Sequence, residues 1–198
     1  MPWGNDFFHP PRRSVGVDLS LCRGRQYLFE WFQRYYHQEV RMTRMCIPGF
    51  DYRQPNAFFV TIVARNRRDL FGEVLAGRTK LNRLGSLVTQ TWFGIPMHFA
   101  HVLPDVFIVM PNHIHGILWT TVQFDDWRPE AFGKPVAGSI PTVVRSFKSA
   151  VTNAAHRQLG FGLPSVWHPR SWTHVIRTEQ RLDRIRRYIE TNPTRPYA

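Results

Sequence analysis

Two apolar runs that meet at Pro111-Asn112 constrain this chain more than any other feature of its sequence. Residues 102–110 read as one strand, and the run that follows the Pro-Asn pair, carrying His113, Ile114, His115, Gly116, Ile117 and Leu118, reads as another. A tight turn between two such runs makes them antiparallel neighbours. Alternate side chains of a strand point to opposite faces, so His113 and His115 emerge side by side while Ile114 turns towards a core. Two neutral imidazoles on rigid backbone make half of a metal site. The same pattern also fits a pair of satisfied histidines at a sheet edge.

The segments on either side supply the rest of a fold. Residues 57–64 are β-branched and aromatic, as a strand requires. Leu84, Leu87, Val88 and Trp92 recur near helical spacing within an expected helix over 81–99. Residues 121–138 contain Asp125, Asp126, Pro129, Gly133, Pro135 and Gly138, and read as a mobile connection. A second helix is expected over 139–159, with Val143, Val144, Phe147, Val151 and Ala154 on one side. A fourth strand over 172–176 and a last helix over 179–191, stopped by Pro193, complete the order. Strand, helix, strand, strand, helix, strand is the ferredoxin-like pattern, an α+β fold on an antiparallel sheet whose first and third strands form the central pair. The added carboxy-terminal helix is then expected to cover the face that the other helices leave open. Residues 1–45, with their aromatic-rich stretch from Tyr27 to Tyr36, read as a variable extension preceding a domain over 46–198.

Charge narrows the function classes. Lys and Arg number 26 against 14 Asp and Glu, for a formal net charge of +12. Such a balance favours a polyanionic partner, most simply nucleic acid, although ribosome-associated and membrane-surface proteins are also basic. No run approaches the roughly 18 apolar residues of a membrane span, and the amino terminus lacks a secretory pattern. Cys22 and Cys46 stand far apart in no metal or disulfide pattern, which points to a reducing cytoplasm. The cations of Arg65-Asn66-Arg67-Arg68, at a strand end, are candidates for phosphate contact, or else a solvated loop.

The last helix adds chemistry. Arg181, Arg184, Tyr188 and Asn192 recur at intervals of three or four, along one flank. Leu182, Ile185 and Ile189 form the apolar stripe, and Tyr188 lies at its boundary, where a tyrosine ordinarily packs its ring and keeps its hydroxyl in water. Neighbouring guanidiniums favour a phenolate and could equally hold a phosphate in fork geometry. A divalent cation on His113 and His115 would polarise a phosphate under attack. Asn192 could supply a third ligand, although a residue preceding proline is pushed away from helical geometry.

Six blocks together resemble the REP-associated tyrosine transposases, in the single-tyrosine branch of the HUH endonucleases (His, hydrophobic, His). They are Gly49-Phe50-Asp51-Tyr52, Phe58-Phe59-Val60-Thr61-Ile62, Met110-Pro111-Asn112-His113-Ile114-His115, Phe147-Lys148-Ser149, Trp167-His168-Pro169-Arg170 followed by His174-Val175-Ile176-Arg177, and Tyr188-Ile189-Glu190-Thr191-Asn192-Pro193. The resemblance implies cleavage and rejoining of single-stranded DNA, at hairpins of repetitive palindromes. It implies Tyr188 as the nucleophile that forms a 5′-phosphotyrosine link, and His113 and His115 as ligands of Mg2+ or Mn2+. Asn192 stands where related enzymes complete the metal site, often with Gln. Single strands are typically held by cationic grooves and aromatic platforms; Arg145, Lys148, Arg170, Arg177, Arg181 and Arg184, with Trp167 and Trp172, are the candidates here. The enzyme would act as a monomer or homodimer on nucleoid DNA in the cytoplasm. The alternative is a domesticated relative that holds hairpin DNA without cutting it. A ferredoxin-like RNA-binding domain would want exposed strand aromatics in place of the paired histidines. Tyr197, the rival nucleophile near the carboxy terminus, lacks basic neighbours at helical spacing.

Overall fold

The structure is a computed structural model that describes residues 47, 49–129, 136–162 and 164–192. The expected extension over 1–45, both cysteines, Pro193 and Tyr197 lie outside the described residues. Four strands, β1 (Asn56–Ala64), β4 (Val102–Met110), β5 (His113–Thr120) and β6 (Trp167–Ile176), form an antiparallel sheet in the order β4-β5-β1-β6. A separate two-stranded ribbon of β2 (Gly72–Leu75) and β3 (Arg78–Leu81) precedes the first helix. The helices are α1 (Arg83–Phe93), α2 (Ile140–Leu159) and α3 (Glu179–Thr191). This is the ferredoxin-like order, with β1 and β5 as the central pair.

Period-two alternation decides what each face of the sheet carries. Phe58, Val60, Ile62 and Ala64 of β1, with Ile114 and Leu118 of β5, are wholly buried under α1 and α2. Ala57 and Phe59 of β1, with Ile117 and Trp119 of β5, face the other way and pack on Leu182, Ile185, Tyr188 and Ile189 of α3. The carboxy-terminal helix therefore covers the open face, as expected. Gly116 makes the first layer possible: a Cβ there would lie 2.5 Å from Trp92 Cζ2 and 2.9 Å from Phe107 Cδ2. Without it the Trp92 ring stacks on Phe107 at 4.6 Å between centroids, directly beneath the histidine strand.

Several expectations are corrected. The helix expected over 81–99 is shorter, because Asn82 Oδ1 accepts from the Gly85 N–H and starts it, while Gly94 and Pro96 end it in a separate 3-10 turn, Ile95–Met97. Ser139 lies outside α2 as its cap. The fourth strand starts five residues earlier than expected, at Trp167, and includes Pro169; β6 is an edge strand, where a missing N–H does not break a ladder. Residues 121–129 are not the mobile connection that composition suggested. Arg53 reaches across to the Asp126 carboxylate at 3.0 Å and lies over the Phe124 ring, while the Arg128 N–H donates to Asp51. Burial pushes the Asp51 carboxyl up, but the Arg53 side chain, the Arg128 and Arg53 N–H groups and the Arg53 charge outweigh it and hold it below its usual value.

Candidate active site

The β5 register places His113 opposite Val63 and His115 opposite Thr61, on the face that α3 covers. The two imidazole centroids lie 4.6 Å apart. Each ring is held through Nδ1. His113 Nδ1 lies 2.7 Å from Asn112 Oδ1, which can only accept, so His113 donates there and keeps a lone pair on Nε2. His115 Nδ1 lies 2.9 Å from the Thr61 hydroxyl. Phe59 stacks on the His115 ring at 5.3 Å. Burial lowers the pKa of both histidines, that of His115 to about 3 with a further contribution from His113, so both are neutral at pH 7.

Thr178 caps α3 by accepting from the Arg181 N–H, and the helix then runs towards the end of the sheet that bears the histidines. Leu182 and Ile189 seat it. On one flank the Asp105 carboxylate of β4 accepts from Arg186 Nη2 at 2.6 Å, from Arg186 Nε at 3.2 Å and from Trp119 Nε1 at 3.0 Å. On the other flank Tyr188 reaches over the sheet. Its Oη lies 3.4 Å from His115 Nε2, and its ring meets Phe59 edge-on at 6.2 Å. A phenol and two imidazoles thus converge at one place, as the family resemblance implied.

Asn192 follows one turn later. The geometry expected before proline does not hold: Asn192 is helical (φ −59, ψ −39), with its N–H bonded to the Ile189 carbonyl, and is buried. Its Nδ2 is buried without a hydrogen-bond partner. The two neutral imidazoles, each engaged through Nδ1, leave their Nε2 atoms as the donors a divalent cation would use; from Asn192 only Oδ1 could join them, since its unpartnered Nδ2 is a donor. Among the described residues no group of three His, Cys, Asp or Glu side chains stands ready for a metal, so the remaining ligands of such an ion would be oxygens of water or substrate.

The cationic candidates separate. Arg145, Arg170, Arg181 and Arg184 are exposed and Arg177 half-buried. Lys148 is engaged inward: its Nζ donates to the carbonyls of His168 and Pro169 at 2.8 and 2.9 Å, tying α2 to β6, and burial and the Arg145 charge lower its pKa. Trp167 is corrected from an aromatic platform to a core residue, buried against Phe71 and Phe147 because the register opposite Ala64 turns it inward. Trp172, opposite Thr61, is half-buried on the histidine face. Phe59 and Thr61 fall within one of the resembling blocks but with no role attached, and Asp105 and Arg186 carry no signal in the sequence. They matter only through cross-strand register and helix docking.

Comparison with known proteins agrees with this architecture. No family model matches the sequence. The solved structure of a REP-associated tyrosine transposase bound to a REP hairpin aligns with a TM-score of 0.50 at 22% identity, covering 79% of this chain and 73% of that one. At that identity the likeness establishes the fold, which is the fold that the motif resemblance implied. A candidate transposase from Deinococcus radiodurans aligns too loosely to carry an argument (TM-score 0.42, 15% identity, 77% of this chain and 95% of that one). In sequence, an uncharacterised protein of Haemophilus influenzae is 35% identical over 152 residues, 73% of this chain and 83% of the relative. The chain belongs to one family with that Haemophilus protein and is built on the fold of a REP-associated tyrosine transposase.

Proposed function

We propose that the protein is a metal-dependent tyrosine transposase that cleaves and rejoins single-stranded DNA, at palindromic hairpins. The observation that carries this reading is the approach of Tyr188 Oη to within 3.4 Å of His115 Nε2, on a face where both imidazoles are neutral and oriented. Tyr188 Oη attacks the scissile phosphorus and forms the new O–P bond, its proton passing to solvent. The bond to the 3′ oxygen breaks and that oxygen takes a proton from solvent, leaving a 3′-hydroxyl and a 5′-phosphotyrosine. Attack of a 3′-hydroxyl on that link reverses the step and rejoins the strand, with no nucleotide hydrolysed. A magnesium or manganese ion held by His113 and His115, with Asn192 as a third donor, would polarise the phosphate oxygen under attack. Packing of α3 on the sheet holds the phenol in place before substrate arrives, so orientation is prepaid. Exposed Arg170 on β6, and Arg181 and Arg184 on α3, put positive charge suited to phosphates on elements that border or cover this face. The solved structure with this fold holds a REP hairpin, and that supports hairpin DNA as the partner.

The test is covalent capture. The parent chain, incubated with hairpin-bearing single-stranded oligonucleotides and Mg2+ or Mn2+, is expected to give a protein–DNA adduct that survives denaturation. Tyr188→Phe should lose the adduct and still bind the strand, and chelation should abolish the adduct in the parent. A Tyr188→Phe chain that cuts as well as the parent would remove Tyr188 as nucleophile.

A further inference from the structure

The first half of β6 does more than close the sheet edge. Between Ile62 and Ala64 the β1–β6 register shifts, so the short step on β1 is opposed by the longer stretch from Ser171 back to Trp167. A regular strand would hold residues four apart at about 13 Å. The irregularity brings the rings of His168 and Trp172 to 6.3 Å, nearly parallel at 14°. This arrangement is braced from two sides. The Arg170 N–H donates to His168 Nδ1 at 3.2 Å and sets that ring, while Lys148 Nζ grips the carbonyls of His168 and Pro169 from α2. Trp172 is half-buried and so partly open to solvent. It pairs with Thr61, and Thr61 pairs with His115, so the indole and the imidazole share one face two strands apart, about 10 Å.

A braced, half-buried indole on the histidine face, at that distance from His115, is a platform for a flat apolar ring. With exposed Arg170 two residues away, the ring would belong to an anionic ligand. We propose that Trp172, backed by His168, stacks an unpaired nucleobase of the strand whose phosphate lies at Tyr188. The inference rests on the single-strand reading and deepens it: Trp172 holds a base, by stacking and without sequence readout. Lys148 acts here as a brace for the platform and not as a phosphate contact.

The test compares oligothymidylate with an abasic oligomer of the same length, both binding to the full chain in EDTA so that nothing is cut. The parent should bind oligothymidylate more tightly than the abasic strand. Trp172→Leu, which keeps an apolar side chain without a ring, should weaken oligothymidylate binding by about 5- to 150-fold, the range for loss of one base–aromatic stack. It should leave abasic binding and the salt slope unchanged. Trp172→Phe should retain most of the affinity. The inference is overturned if Trp172→Leu binds oligothymidylate like the parent, or loses abasic binding equally, which would mark a merely structural tryptophan. A parent that binds neither strand overturns the single-strand reading itself, and this inference with it.

Discussion

His115 owes its chemistry to three neighbours: Thr61 at Nδ1, Phe59 against the ring, and Tyr188 at Nε2. Burial first, and His113 second, depress its pKa from 6.5 to about 3. A histidine depressed in the folded state takes up protons more readily when unfolded, so its contribution to stability is present above pH 6.5 and is lost as pH falls towards 3. His113 and His174 are depressed as well, and act in the same direction. In metal-free buffer the urea midpoint is therefore expected to fall between pH 6.5 and 4. The fall should be shallower in His115→Gln, and equal slopes in the two proteins would contradict the burial argument. The imidazole pair was legible from spacing alone. Thr61 was not, because only the register between β1 and β5 brings it to Nδ1, and no local pattern encodes a register.

At the scale of elements, α3 was read from its periodicity to the residue, Glu179–Thr191, and its covering of the open face followed from the fold pattern. Its rotational setting was not legible. That depends on Asp105, an acid in an otherwise apolar edge strand, meeting Arg186 on the flank opposite Tyr188. With side chains extending about 5–6 Å from a helix axis, a roll of about 20° would carry the phenol roughly 2 Å. Arg186→Ala leaves a largely buried carboxylate with only Trp119 among these three bonds, and should cost about 1.5–3 kcal/mol in chemical denaturation. It should also slow adduct formation while hairpin binding is unchanged. Unaltered stability and unaltered rate would show that the apolar stripe alone seats the helix. The β2–β3 ribbon escaped the sequence reading for a related reason: its four-residue strands carry Glu73, Arg78 and Lys80 and bury little. Its turn needs a positive φ at Ala76 as well as Gly77, and alanine gives no warning of that.

For the molecule as a whole, fold class followed from two periodicities, 2 and 3.6, in their order along the chain; that Tyr188 would meet His115 was implied only by the family resemblance together with α3 lying over the open face. What those periodicities could not convey was depth: Trp167 and Trp172 look alike in sequence, yet one fills the core and the other borders the site. Net charge of +12 acts at this scale too. Single-strand affinity should fall steeply with salt, log K changing by about −0.7 per decade for each phosphate neutralised. A flat salt dependence would remove the polyanion from the account.

The claim on which the rest depends is that Tyr188 becomes joined to DNA at the histidine face. Proteolysis of the purified adduct followed by mass spectrometry of the nucleotide-bearing peptide measures it directly. The expected result is a single 5′-phosphotyrosine at Tyr188. A link at any other residue, Tyr197 included, or a cut strand with no link at all, would contradict it.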